Sequence, residues 1–561
     1  MVITSPRHAM EWTMMNPPMS CSIHKFRLNE KYITDSISVG TVTNGYIVNP
    51  VKLPLSGKDY RIMDQQAQRG TNFGTREMVN LVKSTAQKVA AKYPGSIMHV
   101  ANMAACGGGE IPWSVSHRSG RDVDIAFYMQ GSDGSQIEPS EMINIGPDMT
   151  GKTRDGRQVI FDTARNWTMI RAIILDPDVS VQWIFIANHL KRRLLTFARK
   201  HKESKEIIYK ASQVMWQPYR SSAHDDHIHV RIYCPVDDLS WGCRDIGSNR
   251  PWYVDHTDLI EKRVIKLARI LRKPGDLANK KQVIEILGAI GTNSAQKIIA
   301  KILGSRNVSI RRAVAKAFFR WGVSSKDVAE GLPDVLNKET DGLTALYLLY
   351  AMKRYRGSGR CALICRILGI HREWVVPAGT GQWRFSAMDF AARVLALRGE
   401  VKAIALLIQG LDTANVMDRR VILAALRRIT NRTLVFNAMD VDPHILQQAW
   451  SDWYDLHPKE SRLSLLVSGF TINGVLSYES ANKMSFDAKD YIRLYNYALN
   501  DAHPYNAMFL LSRLTKTWLW LPRNSMHSKF YYFKQRFMQK TEDLGIAPKK
   551  RAGDSNVKGG G

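Results

Sequence analysis

The chain has 561 residues, more than one hydrophobic core usually serves, so two or more domains are expected. Hydrophobic residues make up 45% and charged residues 23%, the balance of a folded globular protein rather than a disordered or fibrous one. Lys plus Arg is 79 against 51 Asp plus Glu, and this charge of +28 draws the chain toward polyanions such as nucleic acid, anionic membrane surfaces or cell-wall polymers without choosing among them. No apolar run approaches the ~18 residues of a spanning helix, and six cysteines are too few for a disulfide scaffold.

Residues 1–34 read as an N-terminal extension, and "MVITSPRHAMEWTMMNPPMSCSIHKF" lacks the continuous apolar stretch of a secretory signal. Residues 35–253 alternate short β-branched runs with helical patterns. "GTVTNGYIVNPVKLP", "VDIAFYM", "VQWIFIAN" and "HIHVRIY" predict strands, and "TREMVNLVKSTAQKVAAKY" and "ARNWTMIRAIIL" predict helices. The fold class expected is α+β, with a small antiparallel sheet and helices packed on it. Trp167 is expected in the core.

After Trp252 the strand signals fade. "KKQVIEILGAIG", "IRRAVAKAFFRWG", "SAMDFAARVLALRG" and "DRRVILAALRRITN" predict short helices that stop at Gly or Asn. Small residues recur at Ala313/Ala317, Ala391/Ala392, Ala424/Ala425 and around Ala507, where helices can approach closely. This pattern resembles a HEAT-like all-α solenoid over 254–440, with a further helical region over 441–545. The Trp-rich stretch from 449 to 470 is expected to bury its rings, and the Gly/Lys-rich tail 546–561 to be disordered. Cys361 and Cys365 read as two buried thiols.

The chemistry lies between the strands. "HIHVRIY" alternates, so His227, His229, Arg231 and Tyr233 share one face while Ile228, Val230 and Ile232 fill the other. "DVDIAF" alternates too and puts Asp122 and Asp124 on one face. His117 precedes them, and Gly120 lets the chain bend before the strand. His117, Asp124 and His229 make a His₂Asp set with one position open, the arrangement of a catalytic zinc. Asp225 and Asp226 either orient the histidines or form a solvated turn, and Asp122 is either a supporting acceptor or merely structural. Cys234 and Cys243 are either a local disulfide or two thiols.

His117-x₆-Asp124 followed by His227-x-His229 resembles the superfamily of lysostaphin-type peptidases, D-Ala-D-Ala metallopeptidases and hedgehog domains. "GTNFGT" (70–75), "SHRSGRDVDIAFY" (116–128), "FDTARNWTMIRAIILDPDVSVQWIFIANHLK" (161–191) and "HDDHIHVRIYCP" (224–235) are similar to the penicillin-insensitive murein endopeptidases over about residues 35–250. The resemblance implies Zn²⁺ on His117, Asp124 and His229, with His224 and His227 assisting as base and oxyanion donor in an order it leaves open. It implies cross-linked peptidoglycan stem peptides as substrate, cleavage of a D-alanyl to diamino-acid bond, and a periplasmic or envelope location. Where some members carry another histidine three residues before the first ligand, this chain has Ser114, which puts a second metal there in doubt.

Two alternatives stand beside this expectation. One is a carboxypeptidase that trims stem peptides on the same scaffold. The other is a non-catalytic zinc domain attached to a binding solenoid. The helical region is expected to meet a protein partner or an anionic wall polymer. Nucleic acid is not expected.

Overall fold

The computed structural model describes residues 35–218, 223–378, 381–413, 415–434, 441–500 and 505–515, with two short paired strands at Arg27–Leu28 and Lys31–Tyr32. The expectations for most of the N-terminal extension, for residues 516–545 and for the tail lie outside the described residues. The chain divides into two compact units, residues 1–335 with 343–355, and residues 336–342 with 356–561.

The first unit begins with a hairpin of β1 (Ile37–Thr41) and β2 (Asn44–Val48). Its main sheet is built from β3 (Tyr60–Ile62), β4 (Met98–Val100), β5 (Asp122–Ala126), β6 (Val181–Phe185), β7 (Met215–Trp216) and β8 (His227–Ile232), in the spatial order β7-β6-β8-β5-β4-β3. The expected antiparallel arrangement holds at the centre, where β6, β8, β5 and β4 pair antiparallel. It does not hold at the edges, where β3–β4 and β6–β7 are parallel. Parallel neighbours need a crossover, and helices supply it. Helix α1 (Arg76–Lys92) joins β3 to β4, and α3 (Asn188–Lys200) with α4 (Lys205–Val214) joins β6 to β7; α2 (Thr163–Ile174) precedes β6.

Alternation sorts the sheet residues by face. Val123, Ile125, Ile228 and Val230 share one fully buried core with Met78 and Val82 of α1, Trp167 and Ile170 of α2, Leu190 and Leu194 of α3, and Val214 of α4. Each such aliphatic side chain contributes about 1.5–3 kcal/mol on burial. That layer holds β5 and β8 in place while their other face carries the charged and imidazole side chains. Side-chain oxygens start the helices where the sequence offers them: Thr75 accepts from Met78 N at 3.4 Å and Asp162 from Arg165 N at 2.9 Å.

Helices α5 (Thr257–Arg272), α6 (Leu277–Ile290) and α7 (Val308–Trp321) continue the first unit. In the second unit, β9 (Glu373–Ala378) and β10 (Gly381–Ser386) precede α8 (Ala387–Arg398), α9 (Val416–Thr430) and α10 (Pro443–Asp455). The stops marked by the sequence are used: Gly291, Gly399 and Asn431 sit in the left-handed conformation after α6, α8 and α9. Ala317, Ala391, Ala392, Ala425 and Ala507 are buried, whereas Ala313 is half-buried and Ala424 exposed. The region is not wholly helical, as the all-α expectation had it. β9 and β10 form a hairpin because every second residue is large and apolar: Trp374, Val376 and Phe385 point inward, and Trp374 pairs with Phe385 in register.

Trp450 and Trp453 of α10 are buried, as the core reading of that stretch requires. Cys361 and Cys365 are half-buried with sulfurs 3.8 Å apart, and burial pushes the Cys361 thiol up to about 12. No described helix is long and apolar enough to cross a membrane.

Candidate metal centre

β5 and β8 run antiparallel with Asp124 opposite His229, Asp122 opposite Arg231 and Ala126 opposite His227. The alternation that buries the aliphatic residues therefore gathers Asp122, Asp124, His227, His229 and Arg231 on the opposite face. His117 arrives from the loop before β5, held by its own N–H, which donates to Asp122 Oδ2 at 3.0 Å. Gly120 makes the approach possible. Its φ is +75°, and a Cβ there would lie 2.6 Å from Ile47 Cδ1 and 2.9 Å from Thr75 N. Gly120→Val is expected to lower stability by more than about 2 kcal/mol. Thermal unfolding checks this, and an unchanged melt would refute the close-approach argument.

Donor atoms of His117, Asp124 and His229 lie within 4.8 Å of one another, and all three residues are buried. His117 Nε2 is 3.2 Å and His229 Nδ1 is 3.1 Å from the same oxygen, Asp124 Oδ1. That oxygen is buried and accepts no hydrogen bond. Ligand bonds of about 2.0–2.1 Å in a tetrahedron put ligand atoms about 3.3 Å apart, which is close to the spacing seen here. The other carboxylate oxygen, Oδ2, accepts from Asn102 Nδ2 at 3.1 Å, and Thr71 Oγ1 donates to Asn102 Oδ1 at 3.4 Å. Asp124 is thus anchored by one oxygen and offers the other. The residues fit a small divalent cation.

The electrostatics point the same way. Asp122 and Asp124 are both buried, and the fixed positive charge facing them is Arg231, whose Nε donates to Asp122 Oδ1 at 2.7 Å. Burial alone would raise both carboxyls. Arg231 and His229 outweigh it for Asp122, and His117 and His227 for Asp124, so both stay ionised well below the usual range. Burial pulls His229 down, but Asp122 and Asp124 raise it to about 9. Two carboxylates face one guanidinium, and the imidazoles beside them supply the remaining positive charge.

Beside the three donors stand His227 and His224. His227 Nδ1 lies 2.6 Å from Asp226 Oδ1, and its Nε2 lies 3.7 Å from Asp124 Oδ1. Burial lowers its pKa, while Asp124 and Asp226 more than reverse that and raise it. The His224 ring is 5.0 Å from that of His227 and 5.9 Å from that of His229. The Phe185 ring closes the side of the site, 5.2 Å from His229 and edge-on. His117 and His224 both adopt positive φ, +64° and +55°.

The structure separates the pairs that the sequence left open. Asp226 holds His227, whereas Asp225 acts through its backbone, its carbonyl accepting from Ile145 N at 2.8 Å. Asp122 is the hub between Arg231, His229 and the His117 N–H. Ser114 Oγ bonds within its own turn, accepting from Ser116 N at 3.3 Å. Cys234 and Cys243 form a disulfide with Cα atoms 5.9 Å apart. Asn102 carried no signal in the sequence, because its partner Asp124 comes from a neighbouring strand, and Thr71 stood in the "GTNFGT" motif without a role. Arg231 was visible on the right face without a role.

Residues 38–250, which hold every one of these side chains, match the family described as penicillin-insensitive murein endopeptidase. Curated proteins of that name are similar to this chain over 208 to 214 residues. That of Pectobacterium atrosepticum is 26% identical over 208 residues, 36% of this chain and 66% of the relative. That of Yersinia pestis is 26% identical over 213 residues, 36% and 68%, and that of Escherichia coli 25% over 214 residues, 37% and 69%. The chain spans about two thirds of the length of these relatives, and the helices after residue 250 lie outside the match.

Proposed function

We propose that this protein is a zinc-dependent peptidoglycan peptidase that hydrolyses cross-links between a D-alanyl carbonyl and the side-chain amine of a diamino acid. The observation that carries the reading is the buried His117–Asp124–His229 group, with one carboxylate oxygen facing both imidazoles, inside the region matching the endopeptidase family. Bound by these three side chains, zinc would supply a Lewis acid for the scissile carbonyl and a water of lowered pKa.

The chain's own residues do the rest. Asn102 fixes the Asp124 carboxylate so that one oxygen always faces inward. Asp122 accepts from Arg231 and the His117 N–H and lies 3.2 Å from His229 Nε2, which sets the orientation of both candidate ligand imidazoles. Asp226 accepts the Nδ1–H of His227 at 2.6 Å, leaving Nε2 turned toward the candidate metal centre, 3.7 Å from Asp124 Oδ1. There it either receives the proton of the attacking water or donates to the developing oxyanion, and His224 takes the complementary part. A purely structural zinc would need neither histidine, which counts against the non-catalytic alternative.

The HEAT-like helices would serve as a basic scaffold for anionic wall polymers or a protein partner. The Cys234–Cys243 disulfide fits an oxidising compartment such as the periplasm or envelope.

The decisive experiment is digestion of purified cross-linked peptidoglycan with the full-length protein, with and without chelator, and identification of the fragments by mass. Dimeric muropeptides are expected to fall to monomers, chelator to stop the reaction and zinc to restore it. Persistence of dimers with the zinc-loaded protein would overturn the reading. Trimming of monomeric pentapeptides instead would move the assignment to a carboxypeptidase.

A further inference from the structure

Helix α7 lies outside the region shared with the endopeptidases, yet its last residue, Trp321, is buried against the β1–β2 hairpin of the matched domain. Gly40 of β1 has φ +77°, and a side chain there would collide with the Trp321 ring. The Tyr46 ring lies 6.0 Å from that ring, and the Arg320 guanidinium covers both, 4.4 Å over Tyr46 and 4.8 Å over Trp321. Glu285 of α6 accepts from Trp321 Nε1 and Arg320 Nη1, each at 3.1 Å. Asn44 in the hairpin donates to Arg320 O at 2.6 Å, and Arg244, one residue past the disulfide, donates from its own N–H to Gly40 O at 2.9 Å.

The other side of the same hairpin holds the loop that delivers His117. Arg118 N donates to Val42 O at 3.1 Å, Ile47 N donates to Gly107 O at 2.9 Å, and Ile47 Cδ1 fills the space beside Gly120. Arg118 and Gly120 flank Ser119, which is fully buried two residues after His117. One five-residue-per-strand hairpin is thus gripped by α6 and α7 on one side and supports the candidate metal loop on the other.

We infer that Trp321 is a positioning residue for the metal centre: α6 and α7, beyond the matched region, brace the hairpin and so fix the place of His117. The inference rests on the zinc reading above. Packed side chains with alternative arrangements carry coupling of this kind, typically enough to change affinity about 3- to 30-fold.

The test is zinc affinity, read by competition with a chelating dye on the full-length protein. Trp321→Ala is expected to weaken zinc binding about 3- to 30-fold. Trp321→Phe should recover most of it by keeping the ring over Gly40. Trp374→Ala removes a buried ring of comparable size in the second unit and is expected to lower the melting temperature without altering zinc affinity. Should Trp321→Ala fail to fold, Asn44→Ala and Trp321→Phe remain, with smaller losses expected in the same direction. Wild-type affinity in Trp321→Ala and Asn44→Ala would overturn the inference, as would an equal loss in Trp374→Ala. A wild-type protein that binds no zinc would instead sink the metal reading itself.

Discussion

Asp124→Ala is expected to abolish hydrolysis, with turnover on cross-linked muropeptides falling by at least about 10⁴-fold, or ~5.5 kcal/mol of transition-state stabilisation. Asp124 Oδ1 is the one atom that both candidate ligand imidazoles face, at 3.2 and 3.1 Å. Without it, two imidazoles remain to hold the ion, and the Asn102 amide loses its acceptor in a buried place. Elemental analysis should find zinc in the wild type and little in the variant. Asp124→Asn refines the result. It keeps the shape but not the charge, so the metal should still be lost while the fold is retained. A variant that keeps both its zinc and its rate would remove Asp124 from the proposed centre.

The second large effect belongs to His227→Ala. Here the metal should stay, because the side chain is not one of the three converging donors, while kcat drops about 10²- to 10⁴-fold with little change in KM. The separation is the informative part. A ligand loses metal and rate together, whereas a proton-transfer or oxyanion group loses rate alone. Asp226→Asn should reproduce a fraction of the loss, since the Asp226 carboxylate holds Nδ1 of His227 and so sets the orientation in which Nε2 faces the site. Full activity in His227→Ala would shift the role to His224 or to the ion alone.

Much of this arrangement was legible in the sequence, for a physical reason. A strand places alternate residues on opposite faces, so "VDIA" and "HIHVRI" announce both a core face and a polar face without knowledge of their partners. The glycine before β5 and the Gly or Asn after the helices are local requirements of the backbone, and local requirements show in local sequence. What was not legible depends on long-range pairing. Asn102 meets Asp124 only because β4 lies beside β5, and Thr71 only because its loop returns to Asn102. The parallel edges of the sheet follow from helices that cross over, not from any property of the short strands Tyr60–Ile62 or Met215–Trp216. The β9–β10 hairpin is a different kind of miss. Its alternation of Trp374, Val376 and Phe385 was present, but the surrounding helical pattern outweighed a run of so few residues.

His117 and His224 sit at positive φ, where a side chain with a Cβ is held against its own preference at roughly 1 kcal/mol each or more. Glycine at either place would relax the chain, and asparagine would do so in part. With metal withheld from both, such proteins are expected to survive heating better than the parent while losing the proposed hydrolysis. A thermal-tolerance screen run on the metal-free protein without an activity assay would therefore enrich inactive variants at these two positions, and a robust variant of this protein has to draw its extra ruggedness from elsewhere in the molecule.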